Sequence, residues 1–271
     1  MSAKQIVAGQ PTAGRPGGGL RLFQADWLAP VASILGGLLL WELFARFIIR
    51  NPLFLAAPSD VAVQIAELLG TGELQKHMAV SGAEFAIGLV LSIVIGIGMG
   101  FVLASSSIAR KVAGPWIACL YATPTIAVAP LIILWFGIDI WSKVIVVVVN
   151  AVFPVIINTE AGLRATDRKL LETVECLGAS KVQLFWNVMF PSAIPYILAG
   201  VRLAVGRAIV SVVVGELFGA RAGLGFMLAQ ASEVFNMPRL FAAVVVLAFA
   251  GLVLTTLAQM LERALQPWNR V

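Results

Sequence analysis

Six stretches of this chain are apolar over about twenty residues each, and this pattern limits the possible folds more than any other feature of the sequence. About 20 consecutive apolar residues are enough to cross the hydrocarbon core of a bilayer as one helix. Inside lipid every backbone polar group needs a partner, which a helix provides within itself. The sequence therefore predicts membrane spans at about 28–49, 83–104, 115–136, 142–162, 194–218 and 240–260.

The composition agrees with a protein that crosses the membrane several times. Of the 271 residues, 60% are hydrophobic and 12% are charged, whereas soluble domains carry about 25% charged residues. The net charge is +5, but the basic residues do not form a stripe with interleaved aromatic residues, which excludes nucleic-acid binding. We predict an all-α polytopic membrane protein with about six transmembrane helices.

Lysine and arginine residues predict which side of the membrane each connection faces. Residues 1–26 are rich in Gly, Pro and Ala, and we expect them to form a disordered cytoplasmic tail before a membrane domain at 27–271. With the N-terminus inside, the segments on the inner side carry eleven basic residues and those on the outer side six. Positive residues concentrate on the cytoplasmic side. Both termini and the polar segment 163–191 are therefore predicted to be cytoplasmic.

The polar segment between the fourth and fifth spans has the pattern of two short amphipathic helices. Residues 172–191 read ETVECLGASKVQLFWNVMFP. The first helix is predicted to end with Gly178 at its C′ position, and Ser180 with Gln183 forms a capping box that begins the second. We expect Pro191 to stop that second helix. Periodicity alone fits either a surface that a partner protein grips or a helix pair lying on the membrane.

The spacing within this segment resembles the cytoplasmic loop of ABC-importer permeases. The family pattern is E-A-A, three residues, G, nine residues, I, one residue and then L-P. Here Glu172-Thr173-Val174 precede Gly178 by the same interval, and Val188 and Phe190-Pro191 follow at the expected positions. Thr173, Val174, Val188 and Phe190 are departures from the family residues, and most of them replace one apolar residue with another.

The resemblance extends over about 50–268, to the nitrate/sulfonate/taurine branch of these permeases. TPTIAVAPLIILWFGIDIWSKV, AGVRLAVGRA and VVVGELFGARAGLGFML are among the stretches that carry it. Where many members have an S-L-x-R pattern, this chain has Ser81-Gly82-Ala83-Glu84, which leans slightly toward relatives that carry pyrimidine precursors of thiamine or riboflavin. The resemblance implies that 27–271 is a permease domain for a small anion, with a pyrimidine-type solute as the alternative.

The resemblance also implies partners and a coupling site. The loop would dock on ATPase subunits, two per transporter, while an extracytoplasmic binding protein delivers the solute to a permease homodimer in the lipid of a bacterial inner membrane. The residues implied in coupling are Glu172, Thr173, Val174, Leu177, Gly178, Ala179, Ser180, Val188, Phe190 and Pro191.

Several motifs are absent from the sequence, and their absence separates the function classes. No G-x-x-x-x-G-K-[ST] loop occurs, so ATP hydrolysis by a Walker loop is assigned to a separate subunit and the chain is not predicted to be an enzyme. We predict no cofactor and no metal site. A secondary transporter driven by an ion gradient would favour inverted repeats and mid-membrane carboxylates, and a non-transporting scaffold would not explain the loop pattern.

Polar residues and prolines inside the spans are candidates for the translocation path. Arg202 is expected to snorkel toward the headgroups, Glu84 to lie at the membrane interface, and Gly96, Gly98 and Gly100 to allow close helix packing. Asn150 is expected to join helices or to line the path. The candidate path residues are Pro124, Pro130, Asn150, Arg207 and Glu216.

Overall fold

The computed structural model describes residues 28–265, and every regular element in that range is a helix. The predicted tail at 1–26 lies outside the described residues. The helices are α1 (Leu28–Leu43, continued by a π-helical turn at Phe44–Ile49), α2 (Pro58–Gly70), α3 (Glu73–Ser105), α4 (Ser107–Ala122), α5 (Thr125–Phe136), α6 (Ile140–Arg164), α7 (Arg168–Cys176), α8 (Lys181–Leu184, continued by a π-helical turn at Phe185–Met189), α9 (Phe190–Gly219), α10 (Leu224–Glu233) and α11 (Met237–Leu265).

Five of the helical stretches are long and apolar enough to cross a membrane, and a bent pair makes a sixth if it counts as one span. The five are Pro30–Ile49, Glu73–Ser105, Ile140–Arg164, Lys181–Gly219 and Met237–Leu265. This confirms the all-α membrane fold with about six spans. The second span begins ten residues earlier than predicted, at Glu73 rather than at 83.

The third predicted span is not one helix but two helices at an angle. Ser107–Ala122 and Ile126–Phe136 are bent by 101° relative to each other. Thr123 is extended, with φ −70° and ψ 127°, because the ring of Pro124 disfavours a helical conformation in the residue before it. Pro124 is the N-cap of α5, and Pro130 lies within α5 on an exposed face.

The core of the protein is formed by α3, α6 and α9, which pack through small side chains. Val147, Ala151 and Val155 of α6 form a buried cluster with Ala204 and Ala208 of α9. Glycines of α3 approach α6 so closely that a Cβ on Gly96 would lie 2.6 Å from the Val155 Cβ. Small residues let membrane helices approach this closely and gain van der Waals contact.

The glycine pattern of α3 follows the sequence prediction at two positions out of three. Added Cβ atoms would collide with α6 at Gly96 and at Gly100, where Thr159 lies 2.6 Å away. Gly98, between them, has nothing within 4 Å of its added Cβ atom. A helix turns by about 100° per residue, so a residue two positions from the interface points away from it. The prediction of a packing role is confirmed for Gly96 and Gly100 and is wrong for Gly98.

Candidate functional site

The turn of the polar loop is built around Gly178. Asp167 caps α7, its side chain accepting a hydrogen bond from the Lys169 N–H at 2.9 Å. After α7, Gly178 has φ +85° and its N–H donates to the carbonyl oxygen of Glu175 at 2.9 Å. Glycine adopts this left-handed conformation without the Cβ clash that other residues suffer. The predicted glycine end of the first helix is confirmed.

The second helix of the loop begins with the predicted capping box but does not end where the sequence suggests. The Ser180 Oγ accepts from the Gln183 N–H at 3.3 Å, and the Gln183 Oε1 accepts from the Ser180 N–H at 2.9 Å. The prediction that Pro191 stops this helix is wrong, because Lys181–Gly219 is one continuous helical stretch. The π-helical turn at Phe185–Met189 precedes the proline. A π-helical turn already departs from the i→i+4 bonding that a proline ring would disrupt, so the helix continues through Pro191.

The loop divides into an anchored part and an uncovered part. Val188 is buried, and the ring of Phe185 packs edge-on against Phe101 of α3 with centroids 4.7 Å apart. By contrast α7 has no buried residue among its nine. Leu177, directly after α7, is 82% exposed. The loop is therefore fixed to the membrane helices at one end and presents an apolar surface at the other.

Glu172, the first residue of the resemblance motif, lies on the outer surface of α7. Its Oε1 accepts from the Arg168 Nε at 3.1 Å, and both side chains are exposed. Exposed pairs of this kind contribute only about 0.3–0.5 kcal/mol to a helix. The Glu172 carboxylate therefore remains available to a basic residue of another protein.

Two of the candidate path residues, Asn150 and Arg207, are in contact in the middle of the helix bundle. The Asn150 Nδ2 donates to the Ser211 Oγ at 2.7 Å, and the Ser211 hydroxyl donates to the Arg207 carbonyl oxygen at 2.8 Å. The Arg207 Nη1 donates to the Asn150 Oδ1 at 3.4 Å, which closes a ring of hydrogen bonds between α6 and α9. The Arg207 guanidinium also lies over the Tyr121 ring, 4.3 Å from its centroid. Tyr121 is the residue two positions before the break at Thr123.

Glu216 lies inside the protomer and holds the connection between α9 and α10. Its side chain is 1% exposed. The Ser81 hydroxyl donates to one carboxylate oxygen at 2.5 Å and the Gly225 N–H to the other at 2.6 Å. The Leu224 N–H donates to the Ser81 Oγ at 2.8 Å, and the Gly223 N–H to the His77 Nδ1 at 2.9 Å. A role for Glu216 in the path stays a prediction; in this structure its carboxylate binds backbone and α3.

Glu84 and Lys143 complete a buried cluster around Glu216 that the sequence did not reveal. Glu84 is 2% exposed, so its expected place at the membrane interface is wrong. Its carboxyl group lies beside that of Glu216, and the Lys143 side chain is close to both. The Lys143 Nζ donates to the carbonyl oxygens of Ile138 and Asp139. The sequence did contain one indication of this cluster, because the predicted topology places all three side chains at the outer ends of their spans.

Two glycines of the GARAGLG connection leave the space that Glu216 occupies. Gly223 has φ +128°, and a Cβ atom there would lie 2.7 Å from the Glu216 Oε2 and closer still to its Oε1. A Cβ atom on Gly225 would lie 2.9 Å from the Glu216 Cβ and 2.7 Å from the Val213 carbonyl oxygen. The buried Glu216 carboxylate therefore requires glycine at positions 223 and 225.

Arg202, the first arginine of α9, has a different environment from Arg207. The Arg202 Nη1 lies 3.1 Å from the Glu262 Oε2 of α11. Arg202 therefore makes an interhelical ion pair with α11, and its expected snorkelling toward the headgroups stays a prediction.

Known proteins resemble most of this chain. A family model described as "Binding-protein-dependent transport system inner membrane component" matches residues 92–271. The formylaminopyrimidine transport permease protein ThiX of Halalkalibacterium halodurans is 34% identical over 250 residues, which cover 92% of this chain and 98% of that protein. The putative aliphatic sulfonates transport permease protein SsuC of Bacillus subtilis is 33% identical and covers 85% of this chain and 83% of its own length.

Solved structures agree on the fold. An inward-facing structure of the MetNI methionine ABC transporter superposes with a TM-score of 0.63 at 18% identity, over 71% of this chain and 95% of that chain. The loop with its glycine turn, the all-helical membrane domain and the family match lead to one conclusion. The chain belongs to the family of inner-membrane components of binding-protein-dependent transport systems.

Proposed function

We propose that this chain forms, as a homodimer, the solute pathway of an ATP-driven importer, with both termini in the cytoplasm. In this proposal the loop at 163–191 docks on two separate ATPase subunits, and an extracytoplasmic binding protein delivers the solute. The observation that carries the proposal is the uncovered apolar end of the loop, since α7 buries none of its side chains within its own protomer. The turn at Gly178 is well formed, yet no side chain of α7 is buried against another part of the protomer. We therefore assign this surface to contact with a partner protein.

The continuous helix from Lys181 to Gly219 supplies a physical route from the loop to the membrane interior. A rigid helix moves as one body, so a displacement at its cytoplasmic end reaches its other end. This helix carries Val188 of the loop, Arg207 of the polar ring and Glu216 of the buried cluster. Closure of two ATPases on ATP would then favour one of two arrangements of the bundle, and hydrolysis would release it.

Two solute classes follow from the relatives, and the proposal keeps both as substrates to be tested. One relative is named for formylaminopyrimidine and another for aliphatic sulfonates. Both are small, and both are consistent with selection by a binding protein before the membrane step.

Replacing Leu177 with glutamate should uncouple the loop from the ATPase. Leu177 is 82% exposed, so the change leaves the permease fold intact and places a charge on the surface that we assign to the partner. Desolvating an unpaired charge at a contact costs several kcal/mol, which predicts at least a tenfold fall in ATPase subunit recovered with the tagged permease from mild detergent. The measurement is quantitative mass spectrometry of an ATPase subunit that carries a Walker motif.

The matched control is Cys176→Glu. It introduces the same charge one residue earlier, about 100° around α7, at another exposed side chain. We expect its ATPase recovery to stay within about twofold of wild type. Equal recovery for wild type and Leu177→Glu would show that the apolar end of the loop does not bind the ATPase, and would refute the coupling proposal.

A further inference from the structure

We propose that Arg207 is an anion-binding residue of the solute pathway, oriented by Asn150 and Ser211, and that the transported solute carries an acidic group such as a sulfonate. This inference rests on the proposed function, since it assigns the chemistry of the solute that the permease carries. It selects between the two solute classes of the relatives.

The depth of Arg207 in the membrane makes its positive charge energetically unfavourable unless the charge has a functional role. Arg207 lies 12 residues before Gly219, the last residue of α9, which is about 18 Å at 1.5 Å per residue. The hydrocarbon core of a bilayer is about 30 Å thick, so the guanidinium lies near its middle. Ionisable side chains at this depth face a bundle interior or a water-filled cavity, because contact with lipid tails is unfavourable.

No carboxylate neutralises this charge among the side chains that the structure describes. Arg202, five residues earlier on the same helix, has Glu262 within 3.1 Å. The ion pairs found within 28–265 include none for Arg207. Its described contacts are the Asn150 Oδ1 at 3.4 Å and the Tyr121 ring, both uncharged.

The hydrogen-bond ring holds the guanidinium with one edge free. Because Asn150 donates to Ser211 through its Nδ2, its Oδ1 is the atom left to face Arg207. This uses Nη1, while the Tyr121 ring supports one face of the guanidinium plane. Nε and Nη2 have no acceptor among the described side chains, and neither belongs to the buried unpaired atoms of that part of the chain. Their two parallel N–H groups form the edge that binds carboxylate, sulfonate or phosphate oxygens in a bidentate manner.

The helix break near the Arg207 guanidinium is also consistent with a solute pathway at this level. Tyr121 is followed by the break at Thr123 and Pro124, where α4 and α5 diverge by 101°. Discontinuous membrane helices often border binding sites near the bilayer midplane. A small acidic solute that reaches this level would find one fixed positive charge, whereas a neutral aminopyrimidine would gain nothing from it and would leave the charge unpaired.

The first test measures the electrostatic potential beside Arg207 without using transport. In membranes containing the full chain with Cys119→Ser and Cys176→Ser, a Tyr121→Cys thiol is reacted with an anionic sulfonatoethyl and with a cationic trimethylammonioethyl methanethiosulfonate. A positive charge about 5 Å away in a partly aqueous cleft should raise the ratio of anionic to cationic rates by about tenfold. We expect Arg207→Gln to remove that preference and Arg202→Gln, the control on the same helix, to leave it unchanged.

The second test keeps Tyr121 and measures uptake by the complete transporter. We expect Arg207→Gln to reduce uptake of radiolabelled ethanesulfonate at least tenfold, with Arg207→Lys in between, because lysine keeps the charge but loses the bidentate edge. The ATPase subunit should still co-purify with Arg207→Gln, which separates this inference from the coupling proposal.

Three results would overturn the anion site. One is a Tyr121→Cys thiol that neither reagent reaches, since the edge would then face packed protein or lipid. Another is a ratio of anionic to cationic rates that Arg207→Gln leaves unchanged. The third is uptake of a neutral aminopyrimidine, and not of ethanesulfonate, at equal rates in wild type and Arg207→Gln. In each case normal ATPase recovery would leave the coupling proposal standing.

Discussion

Replacing Gly223 with alanine should destabilise the protein so strongly that little folded permease is recovered. Gly223 has φ +128° and ψ 162°, a combination that is almost exclusive to glycine. The added Cβ atom would overlap the Glu216 carboxylate, which is itself fixed by Ser81 and by the Gly225 N–H. Strain and overpacking together should cost about 3 kcal/mol or more.

The measurement is the thermal midpoint of tryptophan fluorescence and the monodisperse fraction in detergent. Gly72→Ala is the matched control, because Gly72 also has a positive φ, +78°, but has nothing within 4 Å of an added Cβ atom. It should show backbone strain alone, about 1 kcal/mol. If both variants lose the same stability, contact with the buried Glu216 is not what requires glycine at 223.

The sequence predicted those features that depend on neighbouring residues or on simple periodicity. The apolar runs indicated the membrane helices because length alone decides whether a run can cross lipid. Gly178 and the Ser180–Gln183 pair indicated the turn of the loop because helix ends are satisfied by residues three or four positions apart. These are local rules, and the structure confirms the helix end and the capping box.

The buried cluster of Glu84, Lys143 and Glu216 escaped prediction because it joins three distant parts of the chain. Each residue alone reads as a charge near the end of a span, where contact with headgroups is the usual environment. The missing information was the start of α3 at Glu73, which places Glu84 three turns inside a helix rather than at its opening. Once that start is known, we can predict that the three side chains lie close together, because all three are in the outer halves of their spans.

Pro124 and Pro191 each behave differently from what the sequence predicts, and for opposite reasons. Pro124 was placed inside one predicted span and instead separates two helices, because Thr123 before it is forced into an extended conformation. Pro191 was expected to stop a helix and instead lies within one, because the π-helical turn before it removes the conflict with the preceding turn. Whether a proline breaks a helix depends on the winding of the preceding residues, which a single sequence does not display.

The contact between α3 and α6 supplies the other large predicted effect, through Gly96→Leu. A Cβ atom on Gly96 would lie 2.6 Å from the Val155 Cβ and 3.2 Å from the Val152 carbonyl oxygen. Neither atom moves unless the α6 backbone moves, and α6 is the most buried of the membrane helices. Forcing a leucine into this contact should separate the two helices at a cost of about 3 kcal/mol or more, with a loss of monodisperse protein and a lower thermal midpoint.

Gly98→Leu tests whether the effect of Gly96→Leu comes from the contact or from the change of residue. Both substitutions lie in the same helix two residues apart, and leucine is a better helix former than glycine by about 1 kcal/mol. Because nothing lies within 4 Å of a Cβ atom on Gly98, Gly98→Leu should match or exceed the stability of wild type. Equal destabilisation by the two variants would mean that α3 does not present to α6 the face seen here, and the assignment of α3, α6 and α9 as the core of the protein would fail with it.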